Sequence, residues 1–407
     1  MTKKQFIVSV IAIFSVTSTC FSQELVQWRG TDRSGIYNET GLLKEWPVDG
    51  PTLLWNYEGL NKGFTSAIIA DDKIFTTGQS DSTGYVFALN LQGKLLWKVE
   101  YGKEFTEAFP GTRTTPVYYK GNLYLSTAFA EAICLNAETG KKVWSVDMKA
   151  KFGARMIKFG IVEVPVVYDN KVYFTPGGEN ISIVALNVNT GETIWESKTT
   201  GEKSAYCSPL LFDYKNKKYL ATSLVANVVG LDASDGTFLW KMSQVSSNTI
   251  NPNTPLYKDG LIYSLTGYKG GGVMMKLSDD GKSVTELWRN TTLDNQMGGA
   301  VWIGDQIIGS GHQNDRSWQC LNAKTGEVMF KTTEIGKGAV IFADGLLYCY
   351  SDAGELGIME INDKGFTLKS KFRITLGTEQ HWAHPVIHKG VLYIRHGNSL
   401  LAYSIKK

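Results

Sequence analysis

Residues 134–144 read CLNAETGKKVW, and the phrase returns as ALNLQGKLLW at 88–97, ALNVNTGETIW at 185–195, GLDASDGTFLW at 230–240 and CLNAKTGEVMF at 320–330. Its first half alternates as a strand does. The Asn-x-x-Thr-Gly centre supplies a tight turn whose glycine accepts positive φ, and the second half is a strand ending on an aromatic. Each copy therefore reads as a β-hairpin. Upstream of the hairpins lie further strand pairs split by Gly, Asn or Asp turns: PVYYKGNLYLST (116–127), PVVYDNKVYFTP (165–176), PLYKDGLIYSLT (255–266), AVIFADGLLYCY (339–350) and PVIHKGVLYIRH (385–396). Four strands per unit follow, in meander order.

The closing aromatics give the period: Trp55, Trp97, Trp144, Trp195, Trp240, Trp288, Phe330 and Phe372 stand 42 to 51 residues apart. One four-stranded sheet cannot bury both faces, so units of this length must stack around a ring, as in a β-propeller. In KLSDDGKSVTELW and EINDKGFTLKSKF the turn-to-aromatic distance is longer, but the spacing of the aromatics survives. The chain ends on three strand signals, HWAHPVIHKGVLYIRHGNSLLAYSIKK. Near its start, PTLLWNY (51–57) has an aromatic and no hairpin before it. Joined, these make an eighth blade. The expectation is an all-β, eight-bladed propeller of four-stranded antiparallel blades, closed by the N-terminal strand joining the C-terminal blade. The repeat aromatics should fill the wedges between blades.

The chain has 407 residues, 43% of them hydrophobic, with Gly 42, Trp 11, Tyr 19 and Phe 18, a profile that suits many short strands. Lys3 and Lys4 followed by FIVSVIAIFSV and STCFSQ have the layout of a signal peptide over 1–22, with Gln23 as the new terminus. The stretch before Cys20 is Thr-Ser-Thr, without the aliphatic residue that opens a lipobox, which favours a soluble exported protein, periplasmic or extracellular, over a lipid-anchored one. A lead-in segment (23–50) and a single propeller domain (51–407) follow, and a monomer with no membrane span is expected. Loss of the peptide removes two lysines from a formal charge of +3, leaving a near-neutral surface with no footprint for nucleic acid. Cys134, Cys207, Cys320 and Cys349 are far apart, and two of them share a repeat position filled elsewhere by Ala or Gly, so they read as small buried thiols.

The run of [AC]-LN-xx-TG-xxx-W hairpins resembles the PQQ-type (quinoprotein) β-propeller repeat over residues 25–407. The opening WRGTDRSGIYNETGLLKEWP (28–47), with GTRTTPV, VWIGDQIIGSGH and HWAHPVIHKGVLYIR, is similar to exported proteins carrying that repeat. The resemblance implies a fold shared with PQQ-dependent alcohol dehydrogenases and with the propeller subunit of the outer-membrane β-barrel assembly machinery. For an enzyme it implies PQQ beside a vicinal disulfide, a Ca²⁺ held by carboxylate and amide groups, an Asp base and a Trp floor. No adjacent cysteines and no CxxCH are present, and the repeat itself describes packing, not a site.

Propellers keep function in the loops entering the innermost strands. Those loops carry Arg113, Arg155, Glu163, Asn253, Asp294, Lys337, Trp382 and His384 as candidate ligand-binding residues at the channel mouth. Singly, each is also an ordinary rim residue bonded to carbonyls. Together, the cations would attract an anion, PQQ being one candidate. Glu163, Asn253 and Asp294 are oxygen donors of the type a hard cation uses, though no spacing compels a metal site. The histidines show no HxH pair, and no nucleophile elbow or phosphate loop is present. Phe105, Phe109 and Tyr268 are loop aromatics suited to anchoring a partner. The expectation is a binding or scaffold module for an envelope protein, a glycan or a small anionic ligand. The alternative is a quinoprotein alcohol or sugar oxidoreductase.

Overall fold

The computed structural model describes residues 24–407. The expected signal peptide and Cys20 lie outside the described residues. In the hairpin of residues 131–147, Asn136 Oδ1 accepts the N–H groups of Glu138 (3.1 Å) and Thr139 (2.9 Å), and Gly140 follows at φ 70°. The side chain thus holds the turn that its backbone needs.

The two strands of that hairpin, Glu131–Asn136 and Lys142–Asp147, slip register between Cys134 and Leu135, which leaves Val143 as the extra residue of a β-bulge. The bulge turns Val143 outward (48% exposed) and Trp144 inward (8%). A comparable slip occurs in every other blade, for example at Ala88/Leu89, Ala185/Leu186, Gly230/Leu231 and Cys320/Leu321. Opposite the aromatic the partner strand holds a small residue in most blades: Cys134 faces Trp144, Ala185 faces Trp195 and Cys320 faces Phe330. The four described cysteines are buried and free.

In most blades the inward aromatic seats on the turn of the following blade. Trp144 Nε1 donates to Val188 O (2.8 Å), Trp55 to Leu91 O (2.9 Å), Trp195 to Ala233 O (3.3 Å) and Trp288 to Ala323 O (3.1 Å). All four acceptors follow the Asn or Asp of the repeat phrase. The turn glycine then lies against the indole: a Cβ on Gly191 (φ 72°) would meet Trp144 at 2.9 Å, and one on Gly236 (φ 77°) would meet Trp195 at 2.5 Å. Here glycine is required twice over, for the left-handed backbone and for the ring.

Eight sheets result. Seven run from inner to outer strand in chain order, spanning residues 68–103, 117–147, 166–197, 210–243, 256–290, 301–332 and 338–373. The eighth joins Val386–His388, Val391–His396 and Ser399–Ser404 to Thr52–Tyr57, with Thr52 opposite Ser404 and Tyr57 opposite Leu400. The ring therefore closes as the sequence predicts. The lead-in segment does more than lead in. Leu25–Val26 adds an antiparallel strand to the 117–147 blade, and Ile36–Tyr37 a parallel one to the 338–373 blade.

Deleting residues 399–407 removes the strand that holds the two termini together, so it should lower the melting temperature far more than a single cut in an exposed hairpin turn; equal losses would count against closure. Trp144→Ala should cost about 3–5 kcal/mol in urea unfolding. Trp144→Phe keeps most of the contact, and Val188 O retains the Tyr124 hydroxyl (3.2 Å), so it should cost about 1 kcal/mol.

Candidate functional site

Between its two short strands the lead-in segment rises through the ring. Leu25–Val26 and Ile36–Tyr37 pair with Tyr118–Tyr119 and Phe342–Ala343, the last residues of two innermost strands. Residues 28–35 reach the opposite ends of these strands. Arg33, 1% exposed, donates to Val164 O (2.8 Å), Pro165 O (2.5 Å) and Pro209 O (3.0 Å) just ahead of two innermost strands. Arg29, equally buried, donates to Ala300 O (2.6 Å) and Val340 O (3.1 Å). An innermost strand has no neighbour on the channel side, and its carbonyls need donors. Two guanidiniums supply them across five blades, together with the bond from Arg29 to His384. Burial lowers Arg29 to about 10 and Arg33 to about 9, so both remain charged at neutral pH. A third arginine, Arg395, donates to Thr65 Oγ1 (2.8 Å), Thr76 Oγ1 (3.0 Å) and Gly397 O (3.0 Å).

This plug turns a through-channel into a closed funnel. Its floor is Trp28 with His384, ring centroids 4.9 Å apart and edge-on. His384 Nδ1 accepts from Arg29 Nη1 (3.1 Å) and Nε2 donates to Met297 O (2.6 Å), which fixes one neutral tautomer. Burial and the Arg29 charge hold its pKa well below the ordinary histidine range. Above the floor lies a cavity of about 360 Å³ walled by Phe64, Phe109, Phe159, Tyr206, Tyr268 and Trp382. Phe64 and Phe109 pack on Trp382 at 4.8 and 5.2 Å. Phe109 (φ 56°), Tyr206 (φ 69°) and Tyr268 (φ 51°) all stand in left-handed backbone, which is uncommon for bulky side chains.

Of the eight candidate residues, Arg113, Trp382 and His384 line this cavity. The other five are occupied elsewhere. Arg155 donates to Gly177 O (2.8 Å) and Gly201 O (2.7 Å) on the rim, and Lys337 pairs with Asp352. Asn253 donates to Leu265 O (3.0 Å) and Asn295 O (2.6 Å). Asp294 accepts the backbone N–H groups of Lys269 (2.9 Å), His312 (3.0 Å), Gln313 (3.0 Å) and Asn314 (3.1 Å). Glu163 Oε1 accepts Thr175 N–H (2.6 Å), and its second oxygen is buried without a partner among the described residues. Sequence reasoning missed Trp28 and Arg29 at the floor and Phe64, Phe159 and Tyr206 in the wall. Arg29 and Arg33 carried a signal, being two arginines in a short segment outside the repeats, but nothing local said that they point into the ring.

The family model described as outer membrane protein assembly factor BamB matches residues 82–332, more than half of the chain. The chain belongs to this BamB-like family of PQQ-type propellers. BamB of Yersinia pestis is 20% identical over 313 residues, covering 74% of this chain and 75% of that protein. Quinoprotein alcohol dehydrogenase PedH of Pseudomonas putida is 26% identical over 247 residues, covering 59% of this chain but only 38% of the dehydrogenase. The chain thus spans well under two thirds of that relative. Among solved structures, BamB from Moraxella catarrhalis superposes with a TM-score of 0.61 at 14% identity, over 87% of this chain and 99% of that one. A europium-containing methanol dehydrogenase gives 0.66 at 13% identity, over 90% and 88%. Both share the fold. Among the described residues, no helix is long and apolar enough to cross a membrane.

The residues of this family member do not fit PQQ with Ca²⁺. Among the described residues no carboxylate lines the cavity, and the Asp294 carboxylate and the Asn253 amide are spent on backbone groups. Among the described residues, no three His, Cys, Asp or Glu side chains converge. A tricarboxylate would meet one lining cation, Arg113.

Burial holds the Glu163 carboxyl at about 7, against 4.5 in the open chain, with Arg33 nearby pulling the other way. A raised carboxyl favours the folded state most below pH 4.5, and stability falls as pH climbs through 7, by about 3 kcal/mol for this group. Glu163→Gln lacks that fall. Its stability relative to the parent should therefore improve by about that amount between pH 4.5 and pH 8 in urea unfolding; a constant difference would remove the assignment.

Proposed function

We propose that the chain is an exported binding module whose site is the aromatic funnel, serving an envelope protein, a glycan or a small anionic ligand. The observation that carries this reading is the wall itself. Phe109, Tyr206 and Tyr268 are held in left-handed backbone around a formed cavity, and Phe109 remains 48% exposed. Such positions each cost on the order of 1–3 kcal/mol, and they persist where the surrounding structure enforces them, commonly at binding sites. A closed floor, an aromatic wall and one cation favour holding a ligand over transforming it. The cavity brings no nucleophile and base together: the Ser208 hydroxyl accepts Val164 N–H (2.9 Å), and both ring nitrogens of His384 are engaged. Kinship with an outer membrane assembly factor supports a partner in the envelope, and the terminal sequence supports export. The alternative, a quinoprotein oxidoreductase, draws support from relatives such as PedH and meets the donor-set mismatch described above.

A photo-cross-linking amino acid at position 109, with Leu287 on an outer strand as the control position, tests the reading in cells. A discrete adduct from 109, absent from 287 and lost with Trp382→Ala, is expected. Indistinguishable adducts from both positions, or alcohol oxidation with a dye acceptor on adding PQQ and Ca²⁺, would overturn it.

A further inference from the structure

The polar atoms of the funnel are unevenly spent. Ser208 Oγ accepts Val164 N–H (2.9 Å), Thr115 Oγ1 accepts Ser66 N–H (3.2 Å) and the Tyr206 hydroxyl accepts Phe159 N–H (3.2 Å). Each hydroxyl keeps its own hydrogen to give. Arg113 commits only Nη2, to Phe109 O (2.6 Å) and weakly to Ala108 O (3.4 Å); among the described residues, its Nε and Nη1 find no acceptor. Burial lowers the Arg113 pKa, while the neighbouring Glu104 and Tyr206 act to raise it, so these groups feel one another's charge. Among the described residues the lining therefore offers one fixed cation, these hydroxyl hydrogens and no carboxylate, while the Gln296 amide can donate or accept. An ammonium group would meet the guanidinium with no anion to pair it.

We propose that the funnel takes a small aryl monocarboxylate, its ring against the aromatic wall and its carboxylate on Arg113 with the Tyr206 hydroxyl. The inference rests on the funnel being the binding site. A single lining cation matches a single negative charge, and a second or third carboxylate would sit uncompensated among aromatic faces. A cavity of about 360 Å³ closed below by Trp28 and His384 limits the ligand to a small molecule. The guanidinium, its Cζ 5.6 Å from the Phe64 ring centroid, keeps the hydrogens of Nε and Nη1, which lie on different edges, for charge-assisted bonds to a carboxylate. Burial raises the Glu104 carboxyl to about 7, so Glu104 is the competing anion above that pH. It is buried and accepts the Tyr101 hydroxyl at 2.6 Å, and it acts on Arg113 electrostatically.

The probe is 3-phenylpropanoate, titrated into the full chain by calorimetry and by tryptophan fluorescence, with 3-phenylpropanamide as its neutral counterpart. The acid should bind at least about tenfold tighter than the amide. Arg113→Ala should erase that preference and Arg113→Lys should restore part of it. At pH 8, where the Glu104 carboxyl is ionised, Glu104→Gln keeps the Tyr101 bond and removes the charge, and should tighten the acid and leave the amide unchanged. PQQ should bind more weakly than the probe. Equal binding of acid and amide, absence of acid binding at millimolar concentration, a preference that survives Arg113→Ala, or tighter binding of PQQ would each overturn the proposal. If that happens while the position-109 adduct persists, the ligand class fails and the binding-module reading stands; loss of the adduct removes both.

Discussion

The ring depends on the seating of one blade's aromatic on the next blade's turn. A β-bulge one residue before the aromatic flips it from the outer surface to the interblade wedge, and a small residue opposite leaves it room. Its N–H finds a carbonyl that the Asn-x-x-Thr-Gly turn holds in place, and the glycine lets the ring lie flat against the backbone. At seams such as Trp144 on the 187–191 turn four features of one phrase meet: Asn, Gly, the small residue and Trp. The N–H bond is not universal, since among the described residues Trp97 Nε1 has no acceptor although Gly140 of the CLNAETG turn lies against its ring. The longer KLSDDGKS turn brings Gly281 against the Tyr219 hydroxyl instead, and Trp240 Nε1 is left without an acceptor among the described residues.

Stacking eight blades creates a second requirement. Innermost strands face each other across a channel with their carbonyls unpaired on that side. Here the answer is two short added strands and two buried arginines from residues 24–37, which satisfy carbonyls of several blades at once. The same plug decides what kind of site the ring can hold. By bringing Trp28 and Arg29 up to His384, it closes the channel and leaves an aromatic funnel on one face.

The arrangement separates two uses of polar side chains that look alike in a sequence. Asp294 and Asn253 sit in the right loops for ligand contact, yet their hydrogen bonds hold loops of adjoining blades together. Arg113 occupies a comparable loop and keeps two donors unspent. What distinguishes them is the nearby supply of backbone partners, which comes from positions 12 to 42 residues away in the same or adjoining blades.

The sequence by itself determined the unit, the number of units and the closure of the ring, because these follow from local periodicity and from an aromatic that recurs with its turn. It also identified the loops that build the funnel, and Arg113, Trp382 and His384 among their residues. The tertiary structure alone decided that the segment before Thr52 enters the channel, that Phe64, Phe159 and Tyr206 join the wall, and that Arg155, Glu163, Asn253, Asp294 and Lys337 serve the scaffold. The physical reason is range. A hairpin is specified by residues within a dozen positions of one another, whereas the partner of Arg33 lies 131 residues away and that of Arg29 lies 311 away, and only the closed ring brings them within hydrogen-bonding distance.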